Sequence, residues 1–452
     1  MTHWLCVVVH TPAHASLGTG LSYQSELPLP PGTLVRVPLG KRELLGVVWD
    51  GDTAQATGEI DPGKIKAIAG TLEGIAPLSA SWQQLVTFAA NYYQRALGEV
   101  ALAALPPQLR ELNPTQMARR LKRPTPVGHD PDGATERAPQ PAVPPLTAEQ
   151  AAVLASIAAQ PGPFLLFGAT GSGKTEVYLR CVQQLLDADP HAQALLMVPE
   201  INLTPQLEAR VKARFAPLVG EHAVVSLHSG MTNPQRLKAW LAAHSGAARI
   251  VLGTRMAVFA PLPRLGLVVV DEEHDPSYKQ QEGARYSARD LAIYRAHLER
   301  VPVILGSATP ALETWQRAEE GKYQRLTMAA RIGGGVLPRV RLFDMGVLPK
   351  DSRGQSPVLA PMVLASLQER IDRGEQSLVF LNRRGYAPVL HCADCGWKSG
   401  CPHCSAWRVF HKAERTLRCH HCGFTERVPR ACPDCGNLDI APIGRGTEKL
   451  EE

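Results

Sequence analysis

The chain has 452 residues, a formal net charge of +6 and 44% hydrophobic residues, enough for about three domains. Its mild positive charge permits nucleic-acid binding through a local groove without requiring it. No apolar run approaches the length of a membrane span, and the first residues lack the Lys or Arg of a signal peptide. These features argue against membrane and secreted proteins. We expect a cytoplasmic protein with reduced thiols and no membrane partner.

Residues 1–105 begin with short β-rich segments at Leu5–Val9, Leu34–Val37 and Leu44–Trp49, separated by Pro and Gly turns. This pattern is typical of a small barrel-like sheet. Apolar residues then recur at helical spacing over Ser81–Leu97. We interpret the aromatic residues of this helix as core residues rather than as a platform for stacked bases.

Residues 106–145 are rich in Pro, Arg and Gly and are predicted to be a linker with little or no fixed structure. A basic cluster at Arg119, Arg120, Lys122 and Arg123 could touch a DNA backbone, but a solvated charge run is the favoured interpretation.

Residues 164–175 read FLLFGATGSGKT, an apolar strand running into a phosphate loop that a helix follows. Glycines let the backbone wrap a triphosphate and aim its N–H groups at phosphate oxygens, and the helix N-terminus adds positive potential. Lys174 is predicted to contact the β- and γ-phosphates, and the Thr175 hydroxyl to hold Mg²⁺. The residues predicted to bind ATP in this loop are Gly168, Thr170, Gly171, Ser172, Gly173, Lys174 and Thr175.

Residues 265–274 read LGLVVVDEEH, a buried type of parallel strand that ends in acids. Asp271 is predicted to hold Mg²⁺ through its water shell, and Glu272 to polarise the attacking water. An acidic pair could instead cap the next helix, but a cap does not explain why the pair follows a phosphate loop. Because residues 146–330 alternate strands with helices, we predict a nucleotide-hydrolysing core built on a parallel α/β sheet.

The turns after the strands of this core resemble those of superfamily 2 helicases. The resemblance implies that Gln150 reads adenine, that several turns contact the phosphates of a single strand, and that the Ser-Ala-Thr turn couples this contact to the ATP state. These turns are Val198-Pro199-Glu200, Thr204-Pro205-Gln206, His228-Ser229-Gly230, Gly253-Thr254-Arg255 and Gly306-Ser307-Ala308-Thr309-Pro310.

Eight of the ten cysteines form four C-x-x-C pairs. Each pair can direct two thiolates to one tetrahedral metal, so four pairs predict two closed, structural Zn²⁺ sites. The spacing favours a nested arrangement, since consecutive pairing would leave only five residues between the first two pairs; disulfides would need an oxidising compartment. The nested arrangement has an outer site of Cys392, Cys395, Cys432 and Cys435 and an inner site of Cys401, Cys404, Cys419 and Cys422.

Together, the motifs closely resemble the bacterial replication-restart helicase family PriA, also called primosomal protein N-prime. The resemblance rests on GATGSGKTEVY, VPEINLTPQ, DEEHDPSYKQQ, GSATPALET and FLNRRGYAP ahead of the C-x-x-C pairs. It runs from about residue 145 to the last residue, and more weakly over 1–105. It implies a 3′-to-5′ DNA helicase that recognises abandoned forks and starts primosome assembly. The implied partners are forked and single-stranded DNA, primosome proteins, the replicative helicase loader and the single-strand DNA-binding protein.

The resemblance also implies DNA contacts, with departures from the family pattern. Ser22 stands where the family has Asp, which predicts weaker capture of a 3′ end because a hydroxyl makes a weaker hydrogen bond than a carboxylate. Ala284 stands where an aromatic residue is expected, which alters stacking in the loop after the acidic motif. The implied DNA-binding residues are Ser22, Tyr23, Gly40 and Lys66 for the strand end, and Thr254, Arg255, Tyr278, Lys279 and Tyr286 for the single strand.

The resulting layout combines a superfamily 2 helicase core of the RecA-like type with a β-rich N-terminal domain and a two-zinc module inserted in a partial second lobe. We expect the chain to be truncated before the second lobe's Q-x-x-G-R-x-G-R arginine finger, and therefore to hydrolyse ATP weakly alone. The 106–145 linker is too short for the family's winged helix. An alternative is a non-hydrolysing, zinc-stabilised fork-DNA-binding protein.

The predicted segments are 1–105, the 3′-end DNA-binding domain; 106–145, the linker; 146–330, helicase lobe 1; 331–391, the start of lobe 2; 392–437, the zinc module; and 438–452, an incomplete return to lobe 2.

Overall fold

A computed structural model describes residues 2–10, 20–51, 65–111, 116, 144–199, 205–334, 338–344, 359–380, 389–392, 394–403, 407–411, 414–419 and 423–443. The chain forms two compact units, Met1–Val336 and Leu337–Glu452. Several sequence features lie outside the described residues: the basic cluster at 119–123, the turn at 200–204, the 381–388 motif, Cys404, Cys422 and residues 444–452.

The first unit begins with a five-stranded antiparallel sheet in the order β2-β1-β4-β3-β5. The sheet buries side chains on both faces: Val7 and Val35 enter one core, whereas Val8 and Val47 enter a second core together with the helices that follow. Such β-branched residues are typical of pleated strands. Gln24 in β2 exchanges backbone hydrogen bonds with residues 66 and 68, ahead of β5, so the two edges of the sheet approach each other. The strands are β1 His3–Val9, β2 Leu21–Ser25, β3 Leu34–Leu39, β4 Arg42–Trp49 and β5 Gly70–Thr71.

Three helices follow this sheet: α1 Ala80–Tyr92, α2 Leu97–Ala103 and α3 Gln108–Glu111. The predicted single helix over 81–97 stops at Tyr92, because the chain turns through Gln94 at a φ of 52°. Trp82 is buried as predicted, whereas Tyr92 is 67% exposed and its predicted place in the core is wrong.

A seven-stranded sheet, whose neighbouring strands all run parallel, forms the centre of the first unit in the order β12-β6-β11-β10-β7-β9-β8. This arrangement confirms the predicted parallel α/β core. The strands are β6 Phe164–Gly168, β7 Gln193–Met197, β8 Val224–Leu227, β9 Ile250–Gly253, β10 Leu265–Asp271, β11 Val303–Ser307 and β12 Gln324–Met328.

Helices pack on both faces of the parallel sheet, which explains its continuous apolar strands. Alternate residues of β10 enter different cores: Val268 and Val270 face α7, α8 and α1, whereas Leu267 and Val269 face α4, α5 and α6. The helices are α4 Ala148–Ala159, α5 Lys174–Ala188, α6 Pro205–Val219, α7 Asn233–His244, α8 Ala288–Glu299 and α9 Leu312–Glu319.

The second unit contains one described helix, α10 Pro361–Asp372, and two small antiparallel sheets. One sheet pairs β13 Val389–Cys392 with β17 Ile440–Ile443. The other joins β14 Val409–His411, β15 Thr416–Arg418 and β16 Thr425–Arg427. Within the described parts of both units, no helix combines the length and apolar character needed to cross a bilayer. The predicted segment boundaries stay a prediction.

Candidate nucleotide, DNA and metal sites

The phosphate loop connects β6 to α5 through two residues in the left-handed region, Gly171 at φ 82° and Gly173 at φ 86°. Gly173 is the N-cap of α5, so the loop runs directly into a helix N-terminus that favours anions. Lys174 folds back across the loop, where its buried ammonium group donates to the Gly168 carbonyl at 2.9 Å. Thr175 follows in the first helical turn. The loop thus has the form of a phosphate cradle.

The acidic motif lies at the end of β10, beside this loop. Glu272 Oε1 is 4.0 Å from Lys174 Nζ, and Tyr178 Oη, one helical turn after Lys174, donates to Asp271 Oδ1 at 3.0 Å. Burial, together with the neighbouring Glu272 charge, raises the pKa of Asp271. A carboxylate that is costly to ionise alone is well matched to a divalent cation, which restores the lost solvation.

Sequence reasoning missed a second function of this motif, because it depends on contacts between distant turns. The carboxylate of Glu273, almost fully buried, accepts hydrogen bonds from Ala311 N at 2.7 Å and Thr314 Oγ1 at 2.8 Å. His274 Nδ1 lies 2.8 Å from Ser307 Oγ in the Ser-Ala-Thr turn and 3.6 Å from Glu272 Oε2. The acidic motif and the Ser-Ala-Thr turn therefore form one connected network.

Gln150 lies at the back of the phosphate loop. Its side-chain oxygen accepts from Thr147 N at 2.9 Å, completing a capping box for α4, and its Nε2 donates to the Gly173 carbonyl at 3.3 Å. Arg331, after β12, also contacts the loop, since its Nε donates to the Thr170 carbonyl at 2.8 Å. Gln150 thus supports the loop directly, and its role toward adenine stays a prediction.

A groove of about 500 Å³ is lined in part by Ser277 and Gln280, which follow the acidic motif in the chain. It brings together Thr254, Arg255 and Tyr286, three residues that the sequence assigned to single-stranded DNA. The sequence did not indicate that α2 of the N-terminal region forms part of the groove wall. The groove wall also includes Val100, Ala103, Ala104, Arg236 and Ala284.

Tyr278 and Lys279 are held differently. Tyr278 is 3% exposed, and its hydroxyl donates to the Asp271 backbone carbonyl at 2.6 Å. Lys279 is exposed, and its ammonium group lies 5.1 Å above the Tyr93 ring. Tyr278 therefore joins the loop to the acidic motif instead of presenting a face for base stacking.

The residues assigned to a DNA strand end lie around one end of the N-terminal sheet. Ser22 and Tyr23 are in β2, and Tyr23 is buried with its hydroxyl donating to the Pro38 carbonyl at 3.2 Å. Gly40 turns β3 into β4 at φ 60°. Lys66 is exposed, and its backbone carbonyl accepts from Gln24 N at 3.0 Å. The structure thus places these four positions on neighbouring segments.

Four cysteines of the second unit converge on one point. The Sγ atoms of Cys392, Cys395, Cys432 and Cys435 all lie within 4.8 Å of one another. Cys392 Sγ is 3.6 Å from Cys435 Sγ, and Cys395 Sγ is 3.5 Å from Cys432 Sγ. These separations exceed the ~2 Å of a disulfide and suit four thiolates around one tetrahedral Zn²⁺.

The backbone around these cysteines repeats a single turn. In the first pair, Gly396 N donates to the Cys392 carbonyl at 3.0 Å, and Gly396 has a φ of 79°. The same bond joins Gly436 to Cys432 at 2.9 Å and Gly423 to Cys419 at 2.9 Å. Cys419 therefore has the backbone conformation of the clustered cysteines, although its partner Cys422 lies outside the described residues.

Three family matches cover much of the chain. The DEAD/DEAH box helicase family matches residues 147–318. The 3′DNA-binding domain (3′BD) of PriA matches residues 6–106, and the PriA DNA helicase Cys-rich region (CRR) domain matches residues 401–427.

Replication restart protein PriA of Rickettsia conorii is 34% identical over 430 residues, which are 94% of this chain and 61% of that protein. The chain belongs to the PriA family. Replication restart protein PriA of Haemophilus influenzae is 45% identical over 289 residues, covering 64% of this chain and 38% of the relative. The chain thus spans less than two thirds of the length of these PriA relatives.

Solved helicases also align with this PriA-family chain. RecG bound to a three-way DNA junction aligns over 51% of this chain and 28% of that chain, at 22% identity and a TM-score of 0.34. The DUF1998 helicase MrfA aligns over 54% of this chain and 37% of that chain, at 19% identity and a TM-score of 0.37.

Proposed function

We propose that this chain acts in replication restart as an ATP-dependent 3′-to-5′ DNA helicase on forked and single-stranded DNA. The observation that carries the proposal is the position of Asp271. Its carboxylate accepts a hydrogen bond from Tyr178, in the helix after the phosphate loop. Its backbone carbonyl accepts a hydrogen bond from Tyr278, in the loop that leads to the groove. The same residue therefore contacts the nucleotide side and the DNA side of the protein.

In this proposal the phosphate loop and Lys174 bind the phosphates of ATP, and Thr175 and Asp271 hold the Mg²⁺. The bound ion would neutralise charge that develops on the phosphates. Glu272 would orient and deprotonate the attacking water. Because His274 lies between Glu272 and Ser307, it is placed to couple the ATP state to the Ser-Ala-Thr turn.

The DNA part of the proposal uses two separate surfaces. A single strand would bind the groove near Arg255, with Tyr286 in its wall, while a 3′ end would bind near Ser22 and the exposed Lys66. Lys and Arg contacts to phosphates give binding that weakens with salt. A protein with both surfaces could hold a fork while it translocates.

We further propose two structural Zn²⁺ ions per chain, in the nested arrangement. The cluster around Cys392 supports the outer ion, and the repeated turn at Cys419 supports the inner one. Because both sites use four thiolates, neither ion has an open position for catalysis. The proposed partners are primosome proteins, the helicase loader and the single-strand DNA-binding protein, in the cytoplasm.

The second candidate is a fork-binding protein that holds ATP without turnover. The exposed Lys66 near Ser22 favours it, since end binding at these positions needs no hydrolysis. The two candidates differ in a single measurable quantity, the DNA-stimulated rate of ATP hydrolysis.

The test measures binding of a fluorescent ATP analogue and ATP hydrolysis with and without single-stranded DNA. We expect Lys174→Ala to abolish nucleotide binding and leave DNA affinity largely intact, and Glu272→Gln to bind ATP without turnover. Lys322→Ala, at an exposed lysine that follows α9, is the matched control. Unchanged turnover in Lys174→Ala would sink the nucleotide site, whereas ATP binding without DNA-stimulated hydrolysis in the wild type would favour the second candidate.

A further inference from the structure

The turn that ends α1 contacts the loop at residues 279–287, which borders the DNA groove. Tyr93 Oη accepts a hydrogen bond from Ser287 N at 2.9 Å. Arg95 Nη2 donates to the Gly283 carbonyl at 2.7 Å. The Lys279 ammonium group lies 5.1 Å above the Tyr93 ring, within cation–π distance. Residues of the N-terminal region thus hold the start, the tip and the end of this loop.

The turn that makes these contacts is itself well anchored. Tyr93 N donates to the Ala89 carbonyl at 3.1 Å, and Arg95 N donates to the Ala90 carbonyl at 2.8 Å. Helix α1 is fastened to the helicase core at two further points. Trp82 Nε1 donates to the Phe259 carbonyl at 2.8 Å, and Phe88 stacks on Tyr294 of α8 at 3.8 Å between ring centroids.

The same loop is attached to the DNA groove and the acidic motif at its other end. Arg255 Nη1 donates to the carbonyls of Ser277 at 3.0 Å and Lys279 at 3.3 Å, and Tyr278 reaches the Asp271 carbonyl. Gln280 N donates to the Tyr286 carbonyl at 2.9 Å, which closes the loop on itself.

Two features make an outside support for the loop important. Its tip residue Gly283 has a φ of 61°, in the left-handed region, and glycine loses more backbone entropy on ordering than any other residue. Ala284 presents only a methyl group to the groove, and the aromatic side chain that packs this loop on Phe259, Tyr286, lies two residues further on. The Arg95 guanidinium bond to Gly283 supplies a fixed point at this position.

We propose that Tyr93 and Arg95 are positioning residues that hold the 279–287 loop in the shape of a DNA-groove wall. This inference rests on the proposed function, since it assumes that the groove binds single-stranded DNA. It assigns to the N-terminal region a role in single-strand binding that is separate from strand-end capture. Neither residue needs to touch DNA to play this role.

The test uses Tyr93→Phe and Arg95→Met in the full 452-residue chain. Each removes a hydrogen-bonding group and keeps most of the side chain. Since each lost bond is worth about a kcal/mol, we expect affinity for a fluorescent oligo-dT to fall by about five- to tenfold per variant. Arg95→Lys, which keeps a donor, should recover part of the loss. Affinity for an ATP analogue should not change, and the melting temperature should fall by no more than about 2–4 °C, the shift expected for the loss of ~1 kcal/mol.

Two substitutions serve as matched controls: Tyr92→Phe, at the exposed neighbouring tyrosine, and Arg317→Met, at an exposed arginine of α9. Both should leave oligo-dT affinity at the wild-type value. Amide hydrogen exchange gives a second readout, because release of the loop should speed exchange at Ser287 in Tyr93→Phe and not in the controls.

The outcomes separate the inference from the function on which it rests. A wild-type chain that binds no oligo-dT would overturn both. Wild-type binding that Tyr93→Phe and Arg95→Met leave within twofold would overturn only the positioning role. A loss of ATP affinity as large as the loss of DNA affinity, together with a large fall in melting temperature, would also overturn it, since this result would indicate general destabilisation.

Discussion

A methyl group at Gly306 should disturb the candidate magnesium site through a neighbouring tyrosine. Gly306 in β11 is the register partner of Asp271 in β10. A Cβ atom at Gly306 would lie 1.5 Å from Tyr178 Oη and 2.7 Å from Tyr178 Cζ. Tyr178 is also the residue that donates to the Asp271 carboxylate. We therefore predict that Gly306→Ala lowers both the free energy of unfolding and the Mg²⁺-dependent affinity for ATP.

The magnitude follows from the overlap. Ordinary Cβ contacts begin at 3.4 Å, so the Tyr178 hydroxyl must retreat by about 2 Å, which breaks its bond to Asp271. Overpacking of this kind costs ~1–3 kcal/mol, and a lost hydrogen bond to a carboxylate ~1.5–3 kcal/mol. Together these terms lower the free energy of unfolding of Gly306→Ala by about 2.5–6 kcal/mol.

A double-mutant cycle with Tyr178→Phe isolates the cause. Tyr178→Phe alone should cost about 1.5–3 kcal/mol. The double variant removes the 1.5 Å contact and leaves the one at 2.7 Å, so its cost should fall below the sum of the single costs by at least ~1 kcal/mol. Gly51→Ala is the control, because its new Cβ would meet only Cys6 Sγ at 3.5 Å.

The assay is urea unfolding followed by tryptophan fluorescence, alongside titration with a fluorescent ATP analogue in Mg²⁺. Additive costs in the cycle would refute the reasoning, because they would mean that Gly306 and Tyr178 do not collide. A cost for Gly306→Ala no larger than that for Gly51→Ala would refute it as well.

The pKa of Asp271 is raised mainly by burial, so ionisation of this carboxyl opposes folding at pH values above the ordinary pKa of Asp. Calorimetry should therefore show that Asp271→Asn raises the melting temperature at neutral pH and that this gain disappears as the pH falls toward ~4. Titration should show that the same variant binds ATP more weakly in Mg²⁺. Purified protein should carry two Zn²⁺ by metal analysis, Cys432→Ser should lose about one, and Cys6→Ser should lose none. Ser22→Asp should sharpen the preference of the chain for a 3′-hydroxyl over a 3′-phosphate in oligonucleotide titrations, because a carboxylate repels phosphate; an unchanged preference would contradict the assignment of Ser22.

The sequence alone was enough to predict the parallel core, because buried strands and the phosphate loop carry local signals. Residues 164–168 and 265–270 are continuous apolar runs, and both lie in inner strands of the sheet. Their order in the sheet also explains why Lys174 and Glu272 come within reach of each other, since the carboxyl ends of parallel strands meet at one edge. Strand β2 was not predicted, because its sequence LSYQS has only two apolar residues and is too short for its alternation to stand out.

The contacts that join the sites depended on tertiary structure. Tyr92 and Tyr93 are adjacent in the same helical pattern, yet Tyr92 is 67% exposed and Tyr93 bonds to a residue 194 positions away. Periodicity defines which side of a helix is apolar, but not which element will cover it. The hydrogen bonds from Tyr178 to Asp271 and between His274 and Ser307 likewise join elements that are far apart in the sequence. Local chemistry in the sequence thus determined the individual motifs, whereas packing of the sheet and helices decided which of them touch.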